Sequence, residues 1–287
     1  MKRLAFIKRS NGRHWVGDGF PVQSIFSYND LADELSPFLL MDYAGPADFP
    51  PTREKLGVGQ HPHRGFETVT IVYEGGVSHR DSSGGGGTIS AGDVQWMTAA
   101  AGLIHEEFHS EDYAKRGGPF EMVQLWVNLP ARDKMSAPGY QGITAGQIPT
   151  VELPRGAGTA RIIAGEYESA TGAARTFTPM NVWDLRLKAG RSLSLELPEG
   201  HTVALFVLHG ALHIGSDTVR DAELAVLDRE ETELAVEIEE DTVVLLLSGA
   251  PLNEPIVGHG PFVMNSSEEI MQAIHDFNSG KFGQIAH

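Results

Sequence analysis

The sequence of 287 residues contains no cysteine. Disulfide bonds and thiolate ligands are therefore excluded, and any metal site must be built from histidine, aspartate, glutamate and water. Nitrogen and oxygen ligands of this kind suit divalent metals such as Fe, Mn, Ni, Cu or Zn. The chain has 12 histidines, so the donors of such a site can be sought among few positions.

Long hydrophobic segments are also missing. No apolar stretch approaches the roughly 20 residues that a membrane-spanning helix requires. The start of the chain, MKRLAFIKRSNGRHW, contains only the short apolar run Leu4–Ile7, which is too short for the hydrophobic region of a secretory signal. We therefore predict a cytoplasmic protein that does not interact with a membrane.

Basic residues are few relative to acidic ones. The chain has 22 Lys and Arg against 38 Asp and Glu, a formal net charge of −16 and a pI near 5.1. Such a surface repels polyanions, which argues against direct binding of nucleic acid. A role in transcription would therefore have to act through a protein partner. Hydrophobic residues make up 41% of the chain, which is enough for a globular core.

Most of the chain has the pattern of short β-strands between turn residues. The segment FETVTIVYEGG is rich in β-branched and aromatic residues and ends at a glycine pair. A Pro/Gly-rich connection, PARDKMSAPGYQGITAGQIP, precedes a second series of strands that includes the strictly alternating RSLSLELPEG. The pattern predicts an all-β chain of two tandem β-barrels rather than βαβ units.

The predicted barrels are followed by a tail with one helix. We assign residues 1–135 to an N-terminal barrel, residues 136–250 to a C-terminal barrel, and residues 251–287 to the tail. In NSSEEIMQAIHDFNSG, Ser266 and Glu269 have the spacing of a capping box, and apolar residues recur with helical periodicity. We expect this helix to pack on a barrel.

Two short motifs of the first half carry candidate metal ligands. In HPHRGFETV, His61 and His63 are two residues apart, and in GLIHEEFHSED the same spacing separates His105 from Glu107. Side chains at that spacing point to the same face of a strand. One such pair is common on protein surfaces, but two pairs in one predicted barrel indicate a metal site. The second half contains no comparable motif, so we expect the metal in the first barrel alone.

The motifs HPHRGFETV, GDVQWMTAAAGLIHEE and VQLWVNLP, together with the tail SGAPLNEPIVGHGPFVMN, resemble the pirin family over nearly the whole chain. Pirins are proteins of two cupin (jelly-roll) barrels, and their N-terminal barrel holds a mononuclear metal, usually iron. The resemblance implies two tandem cupin barrels with Fe(II) bound by His61, His63, His105 and Glu107. Mn, Ni, Cu or Zn can occupy the same kind of site, because supply as well as affinity decides the metal.

The carboxylate ligand has a second candidate. HPHRGFE also places Glu67 where many ordinary cupins carry their metal carboxylate, whereas pirins resemble one another in using the carboxylate two residues after the third histidine, here Glu107. Strand parity does not separate the two. In a straight strand Glu67 would lie about 13 Å beyond His63, which favours Glu107 and leaves Glu67 as the alternative. Glu106 is expected to face away from the metal.

Several neighbouring residues are candidates for contact with the ligands or the substrate. A glutamine can bond the free N–H of a ligating imidazole and fix its orientation, and Gln95 and Gln124 are considered for this role. Phe49 is a candidate for lining a substrate pocket, and Met97 either lines that pocket or packs in the core. His109 has two interpretations, as a pocket residue or as a solvated residue near the end of its strand.

The resemblance also implies a function. Some pirins resemble flavonol dioxygenases in cleaving quercetin, so we expect an oxidoreductase that uses Fe(II) and O₂ to open a small aromatic substrate with release of carbon monoxide. Glu107 is then the candidate catalytic base for the substrate hydroxyl. The alternative is a non-catalytic, redox-sensing adaptor that regulates a transcription factor or a metabolic enzyme through protein–protein contact.

Overall fold

The computed structural model of the chain describes residues 1–10 and 12–286, and most of their regular structure is β-strand. The strands up to residue 143 are β1 (Leu4–Arg9), β2 (Arg13–Val16), β3 (Phe20–Ser27), β4 (Phe38–Phe49), β5 (Gly57–His63), β6 (Phe66–Glu74), β7 (Gly76–Asp81), β8 (Gly86–Ser90), β9 (Val94–Thr98), β10 (Leu103–His109), β11 (Gly118–Asn128) and β12 (Gly139–Ile143). The strands that follow are β13 (Thr150–Glu152), β14 (Gly158–Ala164), β15 (Glu166–Tyr167), β16 (Ala170–Thr171), β17 (Met180–Leu187), β18 (Ser192–Glu196), β19 (Thr202–His209), β20 (Ala211–Ile214), β21 (Asp217–Arg220), β22 (Glu223–Leu227), β23 (Glu233–Ile238), β24 (Thr242–Gly249), β25 (Val257–His259) and β26 (Phe262–Met264). The α-helices of the described residues are α1 (Ala32–Leu35), α2 (Glu111–Arg116) and α3 (Ser267–Asn278), none of which is long and apolar enough to cross a membrane.

Burial explains why these segments form strands. Residues of β18 alternate between exposed and buried from Ser192 to Glu196, because one face of the strand meets the core and the other meets solvent. In β6 every residue from Phe66 to Val72 is buried. A strand that is covered on both faces needs an almost continuous run of residues that pack well, and the Val, Ile and Thr of β6 supply it.

The first barrel is a compact unit that takes its described residues from the ranges 12–32, 38–145 and 253–286. It contains a seven-stranded antiparallel sheet of order β12-β9-β6-β11-β4-β3-β2 and a four-stranded sheet of order β5-β10-β7-β8. One core cluster takes Val72 and Phe120 from the larger sheet and Val77 and Ile89 from the smaller one. The two strands with histidine motifs, β5 and β10, lie side by side in the smaller sheet.

The second barrel is a compact unit that takes its residues from the ranges 1–10, 33–37 and 146–252. Its larger sheet has the order β1-β22-β19-β24-β17-β14-β13 and its smaller sheet the order β18-β23-β20-β21. Leucine, isoleucine and valine dominate its core cluster. A void of only about 10 Å³ remains among these side chains, so this interior is filled by aliphatic residues.

The all-β prediction is confirmed, but the compact units differ from the predicted continuous ranges of 1–135 and 136–250. β1, expected in the N-terminal barrel, pairs with β22 of the second barrel. β12, expected in the C-terminal barrel, pairs with β9 of the first. The tail beyond residue 252 also belongs to the first barrel. Strand pairing joins residues that are distant in sequence, so a barrel need not be a continuous segment.

The predicted capping box is present at the start of α3. The Ser266 hydroxyl accepts a hydrogen bond from the Glu269 amide (3.2 Å), and the Glu269 carboxylate accepts one from the Ser266 amide (3.0 Å). Ile270 and Ala273 are buried in a cluster with Phe262, which belongs to β26. The helix is therefore fixed at its start by its cap and along its apolar face by packing within the first barrel.

Candidate metal centre

The histidines of the two sequence motifs meet on neighbouring strands. β5 and β10 pair antiparallel, with His61 opposite His105 and His63 opposite Leu103. The ring centroids of His61 and His105 are 4.1 Å apart, and those of His63 and His105 are 4.8 Å apart. Each of the three rings offers a nitrogen within 4.8 Å of a nitrogen of the other two. Two motifs that are separated in sequence thus form one cluster of imidazoles.

The cluster favours neutral imidazoles. Burial lowers the pKa of His63 well below its ordinary value, and the neighbouring His61 ring lowers it further. Burial and both neighbouring rings likewise lower the pKa of His105. These rings are therefore uncharged at neutral pH, which is the form that binds a metal ion. His61 Nδ1 lies 2.8 Å from the Gly59 carbonyl oxygen, and a hydrogen bond donated there leaves Nε2 with its lone pair.

Two ring nitrogens of the cluster have no hydrogen-bond partner among the residues that the structure describes. These buried atoms are His63 Nδ1 and His105 Nε2. Buried polar atoms are normally hydrogen-bonded, because an unmade bond costs about 1–3 kcal/mol. Unpaired nitrogens on neutral rings this close together match the donors that a divalent metal binds. The residues of this cluster therefore fit a metal ion.

Glu107 lies beside the cluster and is held by two polar side chains. Its Oε1 accepts a hydrogen bond from Gln95 Nε2 (3.1 Å) and lies 3.3 Å from Thr70 Oγ1, whose one proton it shares with Gln124. Glu107, His105 and His79 form a second group whose ligand atoms lie within 4.8 Å of one another, and neither close group found among the described residues contains all four predicted ligands. A register shift between β5 and β10 falls between His105 and Glu107. The three predicted histidine ligands thus form one close group. Glu107 belongs to a second close group, and His105 is common to both.

His79 and Asp81 adjoin the site although neither is among its predicted residues. β7 pairs with β10, so that His79 lies opposite Glu107 and Asp81 lies opposite His105. His79 Nδ1 is 3.3 Å from His105 Nδ1 and 3.2 Å from Gln95 Nε2. His79 and Asp81 have the same two-residue spacing as the ligand motifs, which was the available signal. Spacing alone does not reveal that β7 is the strand next to β10.

Asp81 fixes the hydrogen bonding of His79. Burial alone would raise the pKa of Asp81, but hydrogen bonds from His79, Ser83 and the Gly85 amide hold that pKa below its ordinary value. The carboxylate lies 3.1 Å from His79 Nε2 and accepts a hydrogen bond from its N–H, which leaves His79 Nδ1 as an acceptor for His105 Nδ1–H (3.3 Å). In this assignment the unpaired Nε2 of His105 carries a lone pair, the form required of a ligand.

Glu67, the alternative carboxylate, belongs to the other sheet. β5 ends at His63 and β6 begins at Phe66 in the seven-stranded sheet, so strand parity does not carry across the corner between them. Glu67 Oε1 accepts a hydrogen bond from the Thr98 hydroxyl (2.7 Å). Burial raises the pKa of Glu67 to about 7, although the bond from Thr98 acts in the opposite direction. Neither close group of candidate ligands among the described residues contains Glu67.

The raised pKa of Glu67 predicts a pH-dependent stability of the metal-free protein. In the folded chain the Glu67 carboxyl keeps its proton to about pH 7, against an ordinary pKa of 4.5 in the unfolded chain. The folded state binds more protons between these values, so stability falls as the pH rises from about 4.5 to about 7. Replacement of Glu67 with glutamine is expected to raise the free energy of unfolding at pH 8 by at most about 3 kcal/mol. Urea unfolding of the wild type and of Glu67→Gln at pH 4.5 and pH 8 tests this. If the two proteins differed in free energy of unfolding by the same amount at both pH values, the prediction would be wrong.

The two glutamines considered in the sequence contact the site in different ways. Gln95 is buried and donates to Glu107, and its Nε2 also lies 3.2 Å from His79 Nδ1; among the described residues it bonds none of the three histidines of the cluster. Gln124 accepts a hydrogen bond from the Thr70 hydroxyl (2.7 Å), and the same hydroxyl lies 3.3 Å from Glu107. Both amides therefore act on the carboxylate side of the site, Gln95 directly and Gln124 through Thr70.

Of the remaining candidates, Met97 and His109 are buried, and Phe49 is partly buried. Met97 is fully buried in a cluster with Leu103, so it packs in the core. His109 is buried rather than solvated, because the aromatic residues that surround it cover the end of β10. Its Nε2 lies 2.8 Å from the Gly19 carbonyl oxygen. The ring of Phe49 contacts His109 with centroids 4.6 Å apart, and further rings against His109 are those of Phe20, Tyr113 and Phe120.

Successive side chains of β10 point to opposite faces of the strand. His105 and Glu107 face the imidazole groups described above, whereas Glu106 between them bonds Arg80 (2.6 Å) and Lys55 (3.4 Å). Glu106 therefore faces away from the cluster, as strand alternation predicts. Its ion pairs anchor the outer side of the strand whose inner side carries the candidate ligands.

Aliphatic residues occupy the corresponding positions of the second barrel. There β18 pairs with β23 as β5 pairs with β10, and Leu195 lies opposite Leu234 where the first barrel has His61 opposite His105. Val236, two residues after Leu234, takes the place of Glu107. These three residues line the small void of the second barrel. Hydrocarbon side chains offer no lone pair to a metal, so these positions of the second barrel contribute to core packing instead.

Comparisons with known proteins relate both barrels to one family. The family model Pirin matches residues 19–127, and the model Pirin C-terminal cupin domain matches residues 182–283. A Pseudomonas aeruginosa protein named "Putative quercetin 2,3-dioxygenase" is 59% identical over 282 residues, which cover 98% of this chain and 99% of that protein. The crystal structure of a quercetin 2,3-dioxygenase from Acinetobacter baumannii has a TM-score of 0.97 at 57% identity and covers 100% of both chains. A bacterial pirin from Escherichia coli in complex with nickel(II) has a TM-score of 0.65 at 19% identity over 86% of this chain and 99% of that one, a likeness of fold alone.

Proposed function

The chain belongs to the pirin family, and from this membership we propose that it is a metal-dependent dioxygenase that cleaves quercetin-type flavonols. The family matches also confirm the predicted fold of two tandem cupin barrels with a C-terminal helix. The observation that carries the proposal is the cluster of His61, His63 and His105, whose buried ring nitrogens are unpaired at two of the three residues. Relatives named quercetin 2,3-dioxygenase support the choice of substrate class.

We assign His61, His63, His105 and Glu107 as the ligands of the metal. Three imidazole nitrogens and one carboxylate oxygen suit Fe(II), and Mn, Ni, Cu or Zn bind the same donors. The nickel(II) complex of the E. coli pirin is consistent with this range of metals. When bound, Fe(II) supplies the electron-transfer chemistry with O₂ that opening a flavonol ring requires. Glu107 would join the three histidines from its position next to His105.

Glu107 is the proposed base for the flavonol 3-hydroxyl. Gln95 and Thr70 hold one of its oxygens, which fixes the orientation of the carboxylate towards the site. Transfer of the hydroxyl proton to Glu107 leaves the substrate as its anion, the form that reacts with O₂. One O₂ then adds across the ring, and one carbon monoxide is released as the ring opens.

Aromatic side chains beside His63 support a flat aromatic substrate. Trp126 is stacked on Phe66 with ring centroids 4.3 Å apart, and its ring lies 5.2 Å from that of His63. Trp126 is only partly buried, so part of this aromatic surface remains accessible. Tyr28 is also stacked on Trp126 (6.4 Å), so a flavonol would contact the exposed edge of this aromatic group near the histidines.

The proposal is tested by turnover under controlled oxygen. Protein loaded with Fe(II) under anaerobic conditions, mixed with quercetin and then exposed to air, is expected to lose the flavonol absorbance and to release one carbon monoxide per O₂ consumed. Protein loaded with Zn(II), which has no redox chemistry, is the matched control and is expected to be inactive. If no metal-loaded form releases carbon monoxide above the rate of quercetin alone, the dioxygenase proposal is wrong. The redox-sensing adaptor then becomes the preferred hypothesis.

A further inference from the structure

The tail of the chain meets the first barrel at the corner that follows His63. The Arg64 amide donates to the Pro261 carbonyl (3.2 Å), and the Val263 amide donates to the Arg64 carbonyl (3.1 Å). Gly65 has φ +92°, and a Cβ at this position would meet the Val263 carbonyl oxygen at 2.0 Å. Only glycine permits this close approach, so the tail backbone defines the shape of the corner.

The Arg64 side chain joins three parts of the first barrel. Its guanidinium is buried, donates through Nε to the Ala101 carbonyl (2.7 Å), and pairs through Nη1 with Asp276 of α3 (3.0 Å). It also lies over the ring of Phe282 at 4.7 Å. Ala101 immediately precedes the segment that leads into β10 and its candidate ligand His105. The side chain of the residue that follows His63 therefore contacts the segment that leads to His105 and, through Asp276, helix α3.

Lys134 strengthens the same corner from the other side. Its buried ammonium group donates to the carbonyl oxygens of Gly65 (2.7 Å) and Val263 (2.9 Å) and to Asn128 Oδ1 (2.6 Å). Three acceptors for three N–H groups leave this lysine fully hydrogen-bonded. The corner is consequently held by directional bonds on both sides, not by apolar packing alone.

Stability alone is a weak explanation for this arrangement. A buried ion pair is often worth no more than apolar residues of the same volume, because both charges lose their hydration. What such a pair adds is a defined geometry, since the guanidinium must meet its acceptors in fixed directions. Here the fixed directions connect the two strands that carry the histidine cluster.

We propose that the buried pair of Arg64 and Asp276 is a positioning device that sets the placement of His63 relative to His105 and thereby the affinity and geometry of the metal site. The proposal rests on the metal-binding part of the proposed function. It assigns to the C-terminal helix a role in the metal site, although none of its residues belongs to the histidine cluster. Asp276 acts on the ligands only through Arg64.

The test compares two variants that each break a buried ion pair. Asp276→Asn removes the charge that pairs with Arg64 and with Lys281 (2.7 Å). Asp184→Asn removes the charge that pairs with Arg161 (3.0 Å) and Arg186 (3.3 Å) in the second barrel. Co(II) affinity is measured by calorimetry on the metal-free full-length protein, and the visible spectrum of the Co(II) form is recorded, both well below the melting temperature of each variant. Asp276→Asn is expected to weaken Co(II) binding by about 10- to 100-fold and to alter the spectrum. Asp184→Asn is expected to lower the melting temperature while its Co(II) affinity stays within about twofold of the wild type.

A conservative variant guards against misfolding. Arg64→Lys keeps the charge, but its single nitrogen cannot occupy both the Nε position that meets Ala101 and the Nη1 position that meets Asp276, so a smaller loss of affinity with a changed spectrum is expected. Wild-type affinity and an unchanged spectrum in Arg64→Lys, or in a folded Asp276→Asn, would overturn the proposal. Co(II) binding without quercetin turnover would overturn the dioxygenase and leave this inference intact, whereas a wild-type protein that binds no metal would overturn both.

Discussion

Replacement of His63 with alanine is expected to leave the purified protein without stoichiometric metal and without flavonol cleavage. His63 contributes one of the two buried, unpaired ring nitrogens of the cluster, and its neutral ring needs no deprotonation before it binds a metal. Loss of a hydrogen bond to a ligand lowers metal affinity by about 10- to 100-fold. Loss of the ligand itself removes a coordinate bond, so His63→Ala should lower metal affinity by more than this. Elemental analysis and calorimetric titration with Fe(II) or Ni(II) measure the effect.

His213→Ala is the matched control for this substitution. His213 belongs to β20 of the second barrel, is partly exposed and pairs with Glu239 (3.3 Å). Its removal deletes an imidazole without touching the cluster, so metal content and turnover should match the wild type. Undiminished metal stoichiometry in His63→Ala would contradict the assigned site whatever its effect on turnover.

The second large effect is expected from Glu107→Gln, which should lower the turnover rate by about 10²- to 10⁴-fold. Glutamine keeps the shape of the side chain and can still accept the hydrogen bonds of Gln95 and Thr70. It cannot take up the proton of the substrate hydroxyl, and its neutral oxygen is a weaker metal donor than a carboxylate. Steady-state turnover of quercetin and calorimetric metal titration of the same preparations separate the loss of the base from the loss of the ligand.

Glu67→Gln is the paired variant that decides between the two carboxylates. Glu67 is bonded to Thr98 in the other sheet, so its substitution should leave metal affinity within about twofold of the wild type. A strong loss of metal affinity in Glu67→Gln combined with a small one in Glu107→Gln would reverse the assignment. The fold would then have to bring Glu67 across from β6 to the histidines of β5 and β10.

Local pattern was sufficient for the parts of the fold and site that depend on neighbours in sequence. Strand alternation predicts the buried and exposed residues of β18, and the capping-box spacing predicts the start of α3. The same alternation predicts that His61 and His63 share a face, and that His105 and Glu107 do so. The presence of both motifs in one predicted barrel indicates a shared metal site, but the complete ligand set came from the resemblance to pirins, because nothing in the spacing shows that β5 and β10 are paired.

Features that depend on the pairing of strands distant in sequence could not be predicted from the local sequence pattern. β1 joins the second barrel because it pairs with β22, and His79 reaches the site because β7 pairs with β10. Glu67 is an even number of residues after His61, so a continuous strand would place both side chains on one face. The chain turns at Gly65, however, and Glu67 lies in a different sheet. Hydrogen-bond ladders and corners, which are set by the whole chain, decide these placements.

The leucine positions of the second barrel have a thermodynamic consequence for the chain. Under the proposed ligand set, folding of the first barrel is linked to free metal by mass action, at about 2.7 kcal/mol for a hundredfold excess over the dissociation constant. Leu195, Leu234 and Val236 offer no metal donor at the matching positions of the second barrel, and they leave a void of only about 10 Å³ among themselves and their neighbours. The stability of the first barrel would therefore vary with metal supply, whereas these aliphatic positions give the second barrel no such dependence.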